Sequence, residues 1–71
     1  MGPQPGTTAY EEQAEQVRAM LRGIGAATHD DEDSIIVLFA MDSSYSRAAI
    51  MDGVGRWRSE RRAQQALKDQ S

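Results

Sequence analysis

The chain has 71 residues, a net charge of −3, no cysteine and one histidine, His29. These counts exclude disulfides, thiolate zinc sites and multi-histidine metal centres. A chain this short makes one domain at most and buries only about 60% of its unfolded surface, so association with itself or with another polypeptide is the staple left to it.

Cysteine-free composition fits a reducing compartment. Met1 to Gly6 has neither the basic start nor the apolar core of a secretory signal, and Gly6 stands where a myristoylation motif needs Ser or Thr. The longest apolar run, Ile35 to Met41, is far short of the about 20 residues that span a bilayer. A cytoplasmic protein without membrane contact is expected. The charge is divided unevenly. Residues 1–45 carry two basic and eight acidic side chains, and residues 46–71 carry six basic and three acidic ones. Opposite halves of this kind suit mutual pairing, or a basic face turned to an acidic partner.

Residues 1–6 are rich in Pro and Gly and read as a flexible tail, leaving 7–71 as a single small helical domain. Thr7 or Thr8 is a good N-cap, and Thr8 with Glu11 has capping-box spacing. Tyr10, Ala14, Val17, Leu21 and Ile24 then recur in steps of four and three residues, one stripe of a helix. Gly23 and Gly25 are natural stops. The first helix is predicted over about 8–23.

Gly25 to Glu32 reads as a connector. Asp30 and Asp33 are spaced as a weak cap for the apolar segment after them. Ile35-Ile36-Val37-Leu38-Phe39-Ala40-Met41 has the β-branched richness of a buried strand. A lone strand, however, leaves its backbone groups without a ladder partner inside one chain. The steps Val37, Met41, Ser44, Ala48, Met51 favour a helix over about 33–52. Ser43 and Ser44 are equally able to cap a new helix and split the segment. Gly53-Val54-Gly55 reads as a break or hinge, and Arg56 to Asp69 as a third helix over about 56–69. That helix docks through Trp57 and Leu67 and shows water an arginine-rich face.

The expected fold is therefore all-α, a small three-helix domain forming a dimer. The alternative is α-β-α, with residues 35–41 as a strand paired across a dimer. Tyr10, Val17 and Leu21, together with Val37, Met41 and Tyr45, are the residues expected to mediate self-association.

Catalytic chemistry finds no foothold. Ser34, Ser43, Ser44 and Ser46 are the only cluster of hydroxyls, and no spacing brings His29 to them as a base. The run His29 to Asp33 lacks the alternation, the glycine and the distal glutamate of a calcium loop, so it reads as a solvated acidic helix start. Gly23-x-Gly25 and Gly53-x-Gly55 are fragments of phosphate-loop patterns, explained by helix punctuation. No metal, cofactor or small-molecule substrate is expected. The feature that points outward is Arg56-Trp57-Arg58-x-x-Arg61-Arg62. Guanidinium forks recognise carboxylates and phosphates, and a Trp anchors an interface or stacks on a base. The plainer reading is that Trp57 is core and the arginines pair with the acids of the first helix.

These observations predict a non-enzymatic macromolecule-binding protein: a regulator, adaptor or inhibitor that acts through protein contacts at Arg56, Trp57, Arg58, Arg61 and Arg62. The alternative is a DNA-binding transcriptional regulator using the basic C-terminal helix, although an acidic chain suits nucleic acid poorly. A third reading is a structural subunit of a larger assembly.

Overall fold

A computed structural model describes residues 4–69. It contains three helices and, among the described residues, no strand: α1 Thr8–Ile24, α2 His29–Ala40 and α3 Arg47–Asp69. None of them is long and apolar enough to cross a membrane.

Each boundary has a local cause. Gln4 to Thr7 form a turn, with the Thr7 amide and hydroxyl both donating to the Gln4 carbonyl. Thr7 is the N-cap of α1, its hydroxyl accepting from the Tyr10 amide at 3.2 Å. At the other end Gly25 sits at φ +66° and donates to the Arg22 carbonyl, while Ala26 donates to the Leu21 carbonyl. This is a Schellman closure, and the apolar contact that usually accompanies it is present here between Leu21 and Ala26, both in the core. Of the expected tail 1–6, residues 1–3 lie outside the described residues.

The second helix differs from the sequence expectation at both ends. It starts at His29, not at 33, because Thr28 and Asp31 form a reciprocal capping box. The Asp31 carboxylate accepts from the Ala27 and Thr28 amides at 2.9 and 3.1 Å, and the Thr28 hydroxyl accepts from the Asp31 amide at 3.2 Å. The helix ends at Ala40, not at 52. Asp42 accepts from the amide and the hydroxyl of Ser44, closing a turn in which the Tyr45 amide donates to the Asp42 carbonyl. An Asp-led turn of this kind competes directly with helix propagation. Ile35 to Ala40 are helical.

The third helix also departs from expectation. It begins at Arg47 and runs without interruption through Gly53-Val54-Gly55, which is neither a break nor a hinge. The reason lies across the interface. A Cβ on Gly53 would stand 2.5 Å from the Ala14 carbonyl oxygen and 2.6 Å from Val17 Cβ. Glycine here permits two helices to touch backbone to backbone, and that packing outweighs its poor helix propensity.

The helices pack up-down-up. Tyr10 meets Ala48 and Asp52, Glu15 meets Arg56, and Arg18 meets Glu60, so α1 and α3 run in the same direction. Ala14, Val17 and Leu21 of α1 oppose Ala49, Ile50, Gly53, Val54 and Trp57 of α3, and Ile35 of α2 closes the core. Ile36, Phe39 and Tyr45 pack around its edge, with the Phe39 and Tyr45 rings edge to face at 4.9 Å. Gln13 fastens the α2–α3 turn to α1, its amide donating to the Ser44 carbonyl at 2.7 Å and accepting from the Ser46 amide at 2.9 Å. Tyr45 adds a hydrogen bond from its hydroxyl to Gln16. Leu67, expected to dock the third helix, is exposed. Docking rests on Trp57 and the four smaller residues before it.

Candidate functional site

The Arg56–Arg62 segment lies on α3, and its members separate by helical angle. Trp57 points into the core, only 5% exposed, and its indole N–H has no hydrogen-bond partner among the described residues. The residue expected to anchor a partner is instead a core residue of the three-helix bundle. Arg56 turns the other way, toward α1. It donates to Glu11 at 2.7 Å, to Glu15 at 3.0 Å and to Asp52 one turn back at 3.1 Å. Those carboxylates push the Arg56 pKa up, Glu11 contributing most, and Arg18 and Arg56 in turn hold Glu15 below its ordinary value. Arg18 bridges Glu15 and Glu60 at 2.8 and 2.7 Å, and Arg22 adds a contact to Glu60 at 3.3 Å. Arg18, Arg22 and Arg56 thus pair with Glu11, Glu15, Asp52 and Glu60 along one α1–α3 seam.

Arg58 and Arg61 face α2, where the structure holds a feature the sequence did not disclose. Glu32, third in a run of four acids, is 2% exposed. Its Oε2 accepts from Arg58 Nε at 2.8 Å, with His29 Nδ1 at 3.8 Å, and its Oε1 lies 3.9 Å from Arg61 Nη1. Arg61 also reaches the Ala26 carbonyl at 3.4 Å. A buried carboxylate persists only when it is paired and hydrogen-bonded, and Arg58 supplies both. Glu32 and Ile35 lie on the inward side of α2, and no periodic signal in the acidic run separates Glu32 from its solvated neighbours. Arg62 is exposed and has no ion-pair partner among the described residues.

The residues expected to mediate self-association also divide. Tyr10, Val17 and Leu21 are buried against α3 within one chain. The Tyr10 hydroxyl donates to Asp52 at 2.9 Å, which raises its pKa. Tyr45 is half-buried beside Phe39. Val37 and Met41 remain outside, 59% and 81% exposed, and Leu38 joins them at 55%. No family model, no curated protein and no solved structure matches the chain.

The surface still accessible on α2 is an apolar ridge with an acidic end. Glu32, Ile35, Ile36 and Phe39 occupy the helix's inward side. Val37, Leu38 and Met41 project from the opposite side. Asp30, Asp33, Ser34 and Val37 line one shallow recess at the ridge's N-terminal end. From Ile35 to Ala40 the helix is apolar all round. A helix with that pattern is ordinarily enclosed on every side.

Proposed function

We propose that the chain is a non-catalytic protein-binding module, and that the outward side of α2 is its contact surface. The observation that carries this reading is the exposure of Val37, Leu38 and Met41 on a helix with no polar face in its C-terminal half. Burying apolar surface favours association by about 25 cal/mol per Å², and adjacent exposed large apolar side chains are a common mark of a protein contact site. Of the segment first expected to make this contact, Trp57 is buried in the core and Arg56 is taken up by Glu11, Glu15 and Asp52.

Charge selects the partner. Asp30 and Asp33 flank the ridge at its N-terminal end, so the complementary surface is an apolar helix face edged with Lys or Arg. A second copy would bring an identical acid-edged ridge. The function is then occlusion or bridging of such a partner, as a small regulator, adaptor or inhibitor does.

The test uses two helical peptides with the same leucine face, one edged with lysine and one with glutamate. The lysine-edged peptide is expected to perturb the Val37, Leu38 and Met41 methyl resonances, more strongly at low salt, and a Met41→Asp change should abolish the response. Equal binding of both peptides, or binding unaffected by Met41→Asp, defeats the proposal. Light scattering reads the other arrangement: a concentration-dependent doubling of mass that Met41→Asp removes would reassign the ridge to self-association.

A further inference from the structure

The buried Glu32 sits at the floor of a second concavity, on the α2–α3 side of the molecule. His29, Glu32, Arg58, Arg61, Arg62 and Gln65 line a recess of about 250 Å³. Three guanidinium groups against one carboxylate leave two positive charges unmatched in that lining, before His29 is counted. Asp31 is close enough to act on Arg61, but its carboxylate is committed to the Ala27 and Thr28 amides.

The geometry of Glu32 bears on what the recess can hold. It takes the Nε–H of Arg58, which fixes the guanidinium plane and leaves the two terminal nitrogens of the fork without a partner among the described residues. Arg58 and Arg61 side chains are 45% and 40% exposed, so both groups are held from inside yet reach solvent. Arg62 stands beside them with no carboxylate of its own among the described residues. An orienting carboxylate behind an exposed fork is an arrangement suited to bidentate recognition of a tetrahedral or planar oxyanion. Of the two, a phosphate at neutral pH carries about −1.5 to −2 charge, matching the unmatched +2, whereas a carboxylate carries one.

We infer that this recess is a phosphate-binding site, with Arg58 and Arg62 as the principal ligands, Arg61 as a second cation and Gln65 as a neutral donor. It is separate from the α2 ridge and does not depend on the role proposed for that surface. The phosphate is either free or esterified to a small hydroxyl compound, since the recess is shallow and the chemistry recognised is the same.

The experiment titrates the full chain with inorganic phosphate and, in a second arm, with O-phosphoserine, following the Arg Nε–H and His29 ring resonances at constant ionic strength. A saturable shift at Arg58 Nε–H and His29 is expected. It should weaken at least tenfold in Arg62→Gln, an exposed change that leaves Glu32 paired, and stay unaltered in Arg47→Gln, which removes an arginine outside the recess. Arg58→Lys keeps the charge but not the fork and should also weaken binding. Saturation in the first arm alone assigns the site to free phosphate, and in both arms to phosphate groups generally. Shifts that rise linearly without saturating in both arms, or that survive Arg62→Gln undiminished, overturn the inference.

Discussion

Replacing Gly53 with alanine should destabilise the protein although alanine is the better helix former. The added Cβ would stand 2.5 Å from the Ala14 carbonyl oxygen, 2.6 Å from Val17 Cβ and 2.9 Å from Val17 Cγ1. Carbon contacts are optimal at about 3.5–4.0 Å, so α1 and α3 must separate by roughly an ångström. One obstacle is backbone and another is the branched root of a buried valine, so neither yields by a rotamer change. Overpacking of this kind costs about 1–3 kcal/mol, and the steric case here lies at the upper end. Helix propensity returns about 0.8–1 kcal/mol. The net loss is about 2 kcal/mol, and at about 4–8 °C per kcal/mol for a domain of this size the melting temperature falls by about 8–16 °C. Gly55→Ala supplies the internal control. It lies two residues further along the same helix with nothing within 4 Å of its would-be Cβ, so it should stabilise by about 0.5–1 kcal/mol. Thermal unfolding followed by the emission of Trp57, the only tryptophan in the chain, measures both. A Gly53→Ala protein that melts at or above the wild-type temperature refutes the backbone contact and the α1–α3 packing built on it.

Further outcomes rest on the ion pairs and caps. Arg58→Ala leaves Glu32 buried without its close partner and should cost about 2 kcal/mol, within the range for orphaning a buried polar group. The double change Glu32→Leu/Arg58→Met should recover most of that loss, as apolar replacements of buried pairs do; denaturant titration of the three proteins checks both statements. Thr28→Ala removes the N-cap of α2 and should cost about 1 kcal/mol, seen as a lower urea midpoint with an unchanged slope. Glu15 and Asp31 both have folded pKa values below their ordinary 4.5 and 3.8, Glu15 through Arg18 and Arg56 and Asp31 through the Ala27 and Thr28 amides. Their contribution is complete above those ordinary values and is lost as acid protonates the folded state below them. Stability should therefore fall as the pH drops below about 4.5, and Asp31→Asn should make that fall shallower. Leu38→Asp should leave the melting temperature nearly unchanged, because an exposed position away from caps and core shifts stability by no more than about 0.5 kcal/mol.

The first helix was legible because periodicity, cap and stop agree: Tyr10 to Leu21 form a stripe, Thr7 precedes it and Gly25 succeeds it. The second was legible in type but not in extent. Ile35 to Met41 has no polar face, so period carries no boundary information there, and the true start lay in Thr28 and Asp31 rather than Asp30 and Asp33. Gly53 misled because glycine interrupts a helix unless something presses against it, and the residues that press here, Ala14 and Val17, lie more than thirty positions away in the sequence. The arginine partners were legible in part: pairing with first-helix acids was one reading, and Arg56 does meet Glu11 and Glu15, but the partner of Arg58 on α2 was not foreseen. The guanidiniums of Arg56 and Arg58 were visible as a charged run, but whether they met solvent or carboxylate depended on helix angle. Helix angle turned Arg56 to Glu11 and Glu15, Arg58 to Glu32, and Trp57 inward. Glu32 had no signal of its own within an acidic run.

The 23 residues of α3 make a rod of about 34 Å at 1.5 Å per residue, on a molecule 45 Å in its longest dimension. From Arg62 to Asp69 every residue is solvent-facing, so these two turns bury little against α1 and α2, and a helical stretch that short is marginal without such burial. Amide hydrogens there should trade with deuterium early, through fraying, while those around Val54 wait for the whole bundle to open. The domain therefore has two separate resistances to unfolding, a weak one in the exposed C-terminal turns of α3 and a strong one where the three helices meet.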